Sequence, residues 1–94
     1  MIYRTQVKII ADVLSATNEY DFDNMGIGVT TIIRKANLSH PRLMKILSDL
    51  VSSGLLEETV KGKVCKYKLS MKGKYFLSEY NKFHEFATTF GLRL

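Results

Sequence analysis

Arg42, Lys45, Ser48 and Ser52 follow one another at intervals of three, three and four residues, which on a helix holds them to one side. A guanidinium can donate two hydrogen bonds to a guanine edge, and an ammonium can reach a guanine or a phosphate. A second group is Lys61-Gly62-Lys63, followed by Lys66 and Lys68 at alternate positions of "VCKYKL". Flexible ammonium groups suit sequence-independent phosphate or minor-groove contact better than two-pronged base reading. This is the chemistry of gripping a polyanion. Bond-making chemistry finds no such set: His84 stands beside Glu85, away from any cysteine, serine or acid cluster, and reads as an interface or surface histidine. No glycine-rich phosphate loop, metal-ligand pair or carboxylate dyad stands at usable spacing, so no enzyme, cofactor, metal or small-molecule ligand is expected.

The charge distribution sharpens this reading. Net charge is +5, with contributions of −2 from residues 1–28, +3 from 29–56, +4 from 57–74 and 0 from 75–94. Positive charge gathered in mid-chain attracts polyanions through steering and counterion release, which points to nucleic acid, although a merely solvated basic face has the same composition. Ninety-four residues, 46% of them hydrophobic, make one small domain with a modest core. The single cysteine, Cys65, excludes an intrachain disulfide and, in alternation with Lys66 and Lys68, reads as a buried, inert thiol. No apolar run approaches the roughly 20 residues that span a bilayer, and "MIYRTQVKII" lacks a signal peptide's apolar stretch. A cytoplasmic protein without membrane contact is expected, at the nucleoid if nucleic acid is its partner.

The elements that must position these groups follow from periodicity. "RTQVKIIADVLSATN" places Val7, Ile10 and Leu14 at helical spacing behind the cap Thr5, predicting a first helix from Thr5 to about Ala16. "EYDFDNMGIG" reads as a connection pinned to the core by Phe22 or Ile27. A short second helix from about Thr30 or Thr31 turns Ile32, Ile33 and Ala36 inward and carries Arg34 and Lys35, candidates for DNA-backbone contact. Asn37 and Ser39 favour a turn. Behind a cap at Ser39 or His40, with Pro41 in the first turn, the third helix gathers Leu43, Met44, Ile46, Leu47, Leu50 and Val51 into its apolar sector. It ends at Gly54. "LLEETV" and "VCKYKL" then form a hairpin around Gly62, and Ser70 caps a final helix running to about Phe90.

Helix, helix, helix, hairpin, helix is the order of a winged helix: mainly α with a small β-hairpin, containing a helix-turn-helix. In that arrangement the polar face of the third helix enters the major groove, so Arg42, Lys45, Ser48 and Ser52 would face bases and His40, at the helix start, the backbone. Lys61, Lys63, Lys66 and Lys68 would be the wing. Bland readings stand beside these: every amphipathic helix has a polar side, and lysines also protect the edges of sheets.

In the last helix Phe76, Tyr80, Phe83, Ala87 and Phe90 recur at intervals of four, three, four and three, a heptad seam with Phe86 nearby. Such a helix is longer than so small a domain can cover, so its second half calls for a partner, with packing back on the monomer as the alternative.

The run "TTIIRKANLSHPRLMKILSDLVSSGLLEE", with "YKLSMKGKYFLSEY" after it, resembles small archaeal winged-helix DNA-binding proteins that carry one long C-terminal dimerising helix, sometimes classed with chromosomal proteins. The resemblance rests on "ANLS" at Ala36 to Ser39, "GLL" at Gly54 to Leu56 and the stretch from Tyr67 to Gly73. It implies a homodimer that binds duplex DNA, with a winged helix over residues 1–70 and a dimerisation helix over 71–94 pairing as an antiparallel coiled coil. The chain differs from that family in its longer "EYDFDNMGIG" connection and phenylalanine-rich last helix. A transcriptional regulator or a chromosome-organising protein is the expected role. The rival is a winged helix serving as a protein-interaction module in a larger assembly.

Overall fold

The computed structural model describes residues 5–92. They form α1 (Gln6–Glu19), β1 (Ile27–Gly28), α2 (Val29–Ala36), α3 (His40–Ser52), β2 (Leu56–Lys61), β3 (Val64–Leu69) and α4 (Met71–Thr89). The Thr5 side chain accepts a hydrogen bond from the Lys8 N–H at 3.1 Å and starts α1 where the sequence predicts. The helix continues past Ala16 because Thr17 is buried there, its hydroxyl donating to the Val13 carbonyl at 2.7 Å. Val7, expected inward, is exposed with the rest of residues 5–7; Ile9, Ala11, Val13, Leu14 and Ala16 make the buried face.

Between α2 and α3 the turn is built as its residues predict. Asn37 takes the left-handed conformation at φ 56°, Leu38 is buried, and Ser39 caps α3 by accepting from the Arg42 N–H at 3.4 Å. Leu43, Ile46, Leu47 and Leu50 anchor α3 in the core beside Leu14 and Ile32. Met44 departs from expectation, standing 36% exposed. A projection at about 100° per residue gives direction but not the width of the contact, and the seat under α3 is narrower than the apolar sector.

The wing is a three-stranded antiparallel sheet in the order β1-β3-β2, where the sequence predicts only a hairpin. β2 and β3 pair from Leu56 opposite Leu69 to Lys61 opposite Val64, leaving Gly62 and Lys63 as a two-residue turn. Gly62 sits at φ +60° in its first position, the place where a type II′ turn demands glycine. On the other side, Ile27 pairs with Tyr67 and Gly28 with Lys66. Two residues carry no readable period, so this strand shows itself only once its partner is in place. Ile27 is buried and pins the connection, whereas Phe22 is 86% exposed, its ring set edge-on against Tyr20 at 6.1 Å.

Tyr67 and Leu69 bring β3 into the core, and Cys65 on the same face is half-buried, less enclosed than expected. Burial, then hydrogen bonds with Cys65 and Glu58, push the Tyr67 phenol well above its ordinary range and keep it neutral. In α4, Phe76, Leu77 and Tyr80 join that same core. Ser70 ties the helix start to the end of α3: its hydroxyl accepts from the Gly73 N–H at 3.0 Å and donates to the Gly54 carbonyl at 2.6 Å. Ser70→Ala is expected to lower unfolding free energy by about 1–2 kcal/mol in urea melts, since two buried or half-buried groups are left without their partner. A change below a few tenths would mean that neither bond matters to the fold. Among the described residues no helix is long and apolar enough to cross a membrane.

Candidate nucleic-acid interface

α3 presents its polar groups opposite Leu43, Ile46, Leu47 and Leu50, and the geometry grades them. At about 100° per residue, Lys45, Ser48 and Ser52 lie within roughly 30° of the outward line. Arg42 lies about 90° to one side of that line and Met44 about 70° to the other. All five are exposed, as is His40 at the helix start. The buried Leu43, Ile46 and Leu47 hold the N-terminal half of the helix rigid, so these side chains project from fixed backbone.

At the hairpin tip Lys61 and Lys63 flank Gly62 and are exposed to solvent on one end of the wing. Lys66 and Lys68 differ. They lie half-buried on β3, the middle strand, so edge protection does not explain them. Lys66 stands between Thr59 and Gly28, and Lys68 faces Glu57 across the ladder. Met25 and Val64 line a small cleft with Thr59, Lys61 and Lys66.

On α2, Arg34 projects away from the buried Ile32 and Ala36. Lys35 turns the other way: its Nζ sits 4.5 Å above the Tyr20 ring, in a depression shared with Asp12 and Glu19 of α1. That contact fastens α2 to α1.

The ion pairs found among the described residues, Lys8 with Asp12 at 2.8 Å and Lys82 with Glu79 at 3.4 Å, lie on α1 and α4. Arg34, Arg42, Lys45, Lys61 and Lys63 make no ion pair with a described carboxylate, and Asp49 is the one acid on the polar face of α3. Such a surface can hold phosphates along two elements while offering a helix face to base edges.

A family model described as winged helix-turn-helix matches residues 3–88. The chain belongs to the winged helix-turn-helix family. Among solved structures it is similar to Sso10a-2, a DNA-binding protein from Sulfolobus solfataricus, with a TM-score of 0.79 at 22% identity over 93% of this chain and 85% of that one. AF1382 from Archaeoglobus fulgidus superposes with a TM-score of 0.70 at 15% identity, over 87% of this chain and 89% of its own. At these identities the likeness concerns the fold. A comparison with curated protein sequences finds no match.

The winged helix-turn-helix core accounts for the first turns of α4, and the rest of that helix is divided between two faces. Gly73, Leu77, Tyr80, His84 and Ala87 form the row turned toward the chain's own body, with Ala87 only 1% exposed. His84 lies with its ring 5.9 Å from that of Tyr80. Phe83, Phe86 and Phe90 form a separate outward row at 56%, 62% and 66% exposure, with the last two rings in edge contact at 5.1 Å. Of the heptad read from sequence, then, Phe76, Tyr80 and Ala87 are engaged within the chain, and Phe83 and Phe90 face solvent together with Phe86.

Proposed function

We propose that this winged helix binds duplex DNA as a homodimer and acts as a transcriptional regulator or chromosome-organising protein at the nucleoid. The observation that carries the reading is that Arg42 and Lys45 on α3 and Lys61 and Lys63 at the wing tip are exposed cations in no ion pair with a described carboxylate, on two elements that a winged helix applies to one duplex. The fold shared with a protein described as DNA-binding supports it. In this assignment Lys45, Ser48 and Ser52 meet the major groove, Arg42 reaches a guanine edge or a phosphate from the side, and His40 and Arg34 touch the backbone. Lys61 and Lys63 grip phosphates beyond the groove, with Lys66 and Lys68 adding field from behind them. Lys35, held over Tyr20, contributes to the site only through the placement of α2. Catalysis has no part in this role.

The outward Phe83, Phe86 and Phe90 are the proposed dimer seam, an apolar row too large to leave in water on a cationic protein. Fluorescence anisotropy on a mixed-sequence duplex of about 30 base pairs, titrated at several salt concentrations, tests the polyanion interface directly. Binding is expected to weaken steeply with salt. Lys61→Ala with Lys63→Ala is expected to weaken all sequences alike and to lower the salt slope by about 2 per head, one unit for each phosphate that is no longer neutralised. No binding at low salt would refute the reading, and a weakening confined to one sequence would move the tip lysines to base recognition.

A further inference from the structure

We propose that Met44 is a specificity-determining residue of this winged helix, reading the 5-methyl group of thymine in the major groove; the inference rests on the DNA-binding reading above. Met44 occupies the second turn of α3, where the apolar residues around it, Leu43, Ile46 and Leu47, are all but sealed from solvent. It alone of that group stands 36% exposed and lies outside the core cluster and the partly buried shell around it. On the helix surface it shares a ridge with His40 before it and Ser48 after it, at four-residue intervals, and borders Lys45. The helix therefore shows the groove one apolar side chain set among a hydroxyl, an ammonium and an imidazole.

Each base presents its own pattern in the major groove, and thymine alone adds a methyl group. A thioether chain with three rotatable bonds can lay its terminal methyl against that group, removing both from water. Cytosine at the same place carries only a hydrogen at C5, so the contact discriminates through the methyl group that thymine alone brings. Lys45 and Arg42 then handle guanine and phosphate, while Met44 marks thymine.

The experiment uses the full chain. The duplex retained most tightly from a random pool is resynthesised with each thymine in turn replaced by deoxyuridine, which deletes only the methyl, and anisotropy is measured for the natural protein and for Met44→Ala. Deoxyuridine is expected to weaken the natural protein about fourfold at one position per half-site, the worth of one buried methyl, and to leave Met44→Ala unaffected there. Met44 lies outside the core cluster, so Met44→Ala keeps the fold, which circular dichroism verifies. Equal affinity of the natural protein for thymine and deoxyuridine at every position would overturn the assignment while leaving DNA binding intact. A methyl preference that survives in Met44→Ala would overturn it too, placing the effect in DNA shape. Retention of no duplex at all would defeat the DNA reading and this inference together.

Discussion

A chain carrying Phe83→Ser, Phe86→Ser and Phe90→Ser is expected to sediment as a monomer and to bind duplex DNA about a hundredfold more weakly than the natural chain, the low end of what linking two binding heads gains. All three side chains stand clear of the domain core, so their removal spares the fold. Their burial between two copies contributes on the order of 1.5–3 kcal/mol for each ring. Summed over six rings, this is of the size needed to offset the restricted freedom of two associating chains, put at about 4–15 kcal/mol. Truncating three rings on each side leaves only Met71 and Tyr75 as large exposed apolar side chains of α4, both in its N-terminal turns and away from the Phe83–Phe90 row. Equilibrium sedimentation with anisotropy on the same samples checks both halves of the statement. A natural chain that stays monomeric at high concentration would refute the seam, and a monomeric variant that keeps full DNA affinity would show that dimerisation does not serve binding.

Gly73→Ala is expected to be the most damaging single methyl in the domain, costing about 3 kcal/mol. A Cβ at this position would strike the Leu55 carbonyl oxygen and approach the Leu69 Cδ1 to 2.6 Å. Neither neighbour can move freely. The Leu55 carbonyl accepts from the Ser70 N–H at 3.2 Å, and Leu69 is buried in the core. Relief would require the start of α4 to lift away from its neighbours, breaking the Ser70 hydroxyl's bond to the Gly54 carbonyl and the Ser70 N–H bond to the Leu55 carbonyl. In thermal melts this corresponds to a fall of roughly 15 °C for a domain of this size. A fall of under about 3 °C would mean that the helix start is far softer than its contacts imply.

Much of the fold can be read along the chain because it is local. Thr5, Ser39 and Ser70 announce their helices by side-chain chemistry that acts over three residues, and each makes the capping bond its position predicts. Gly62 marks its turn for the same reason. The run of leucine and isoleucine in α3 declares its direction of burial, and the lysine-rich hairpin its charge. What escapes such a reading is non-local. β1 exists only because Ile27 and Gly28 meet Tyr67 and Lys66, about forty residues on, and two residues have no periodicity of their own. Phe22 looks like an anchor by type, yet Ile27 occupies the available core and leaves the larger ring outside.

The candidate site divides along the same line. That the chain is a winged helix with cations on its third helix and wing tip follows from residue type and spacing, since a cap, a turn or a charge acts over a few ångströms along the backbone. Which of those cations are free is decided by tertiary contact: Lys35 folds onto Tyr20, Lys66 and Lys68 fall on the middle strand, and Lys61 and Lys63 remain open. The same holds for Met44 and for the parting of Phe83, Phe86 and Phe90 from Tyr80 and Ala87. Helical periodicity states which way a side chain points, but only the elements that arrive from elsewhere in the chain determine how much of that face they cover.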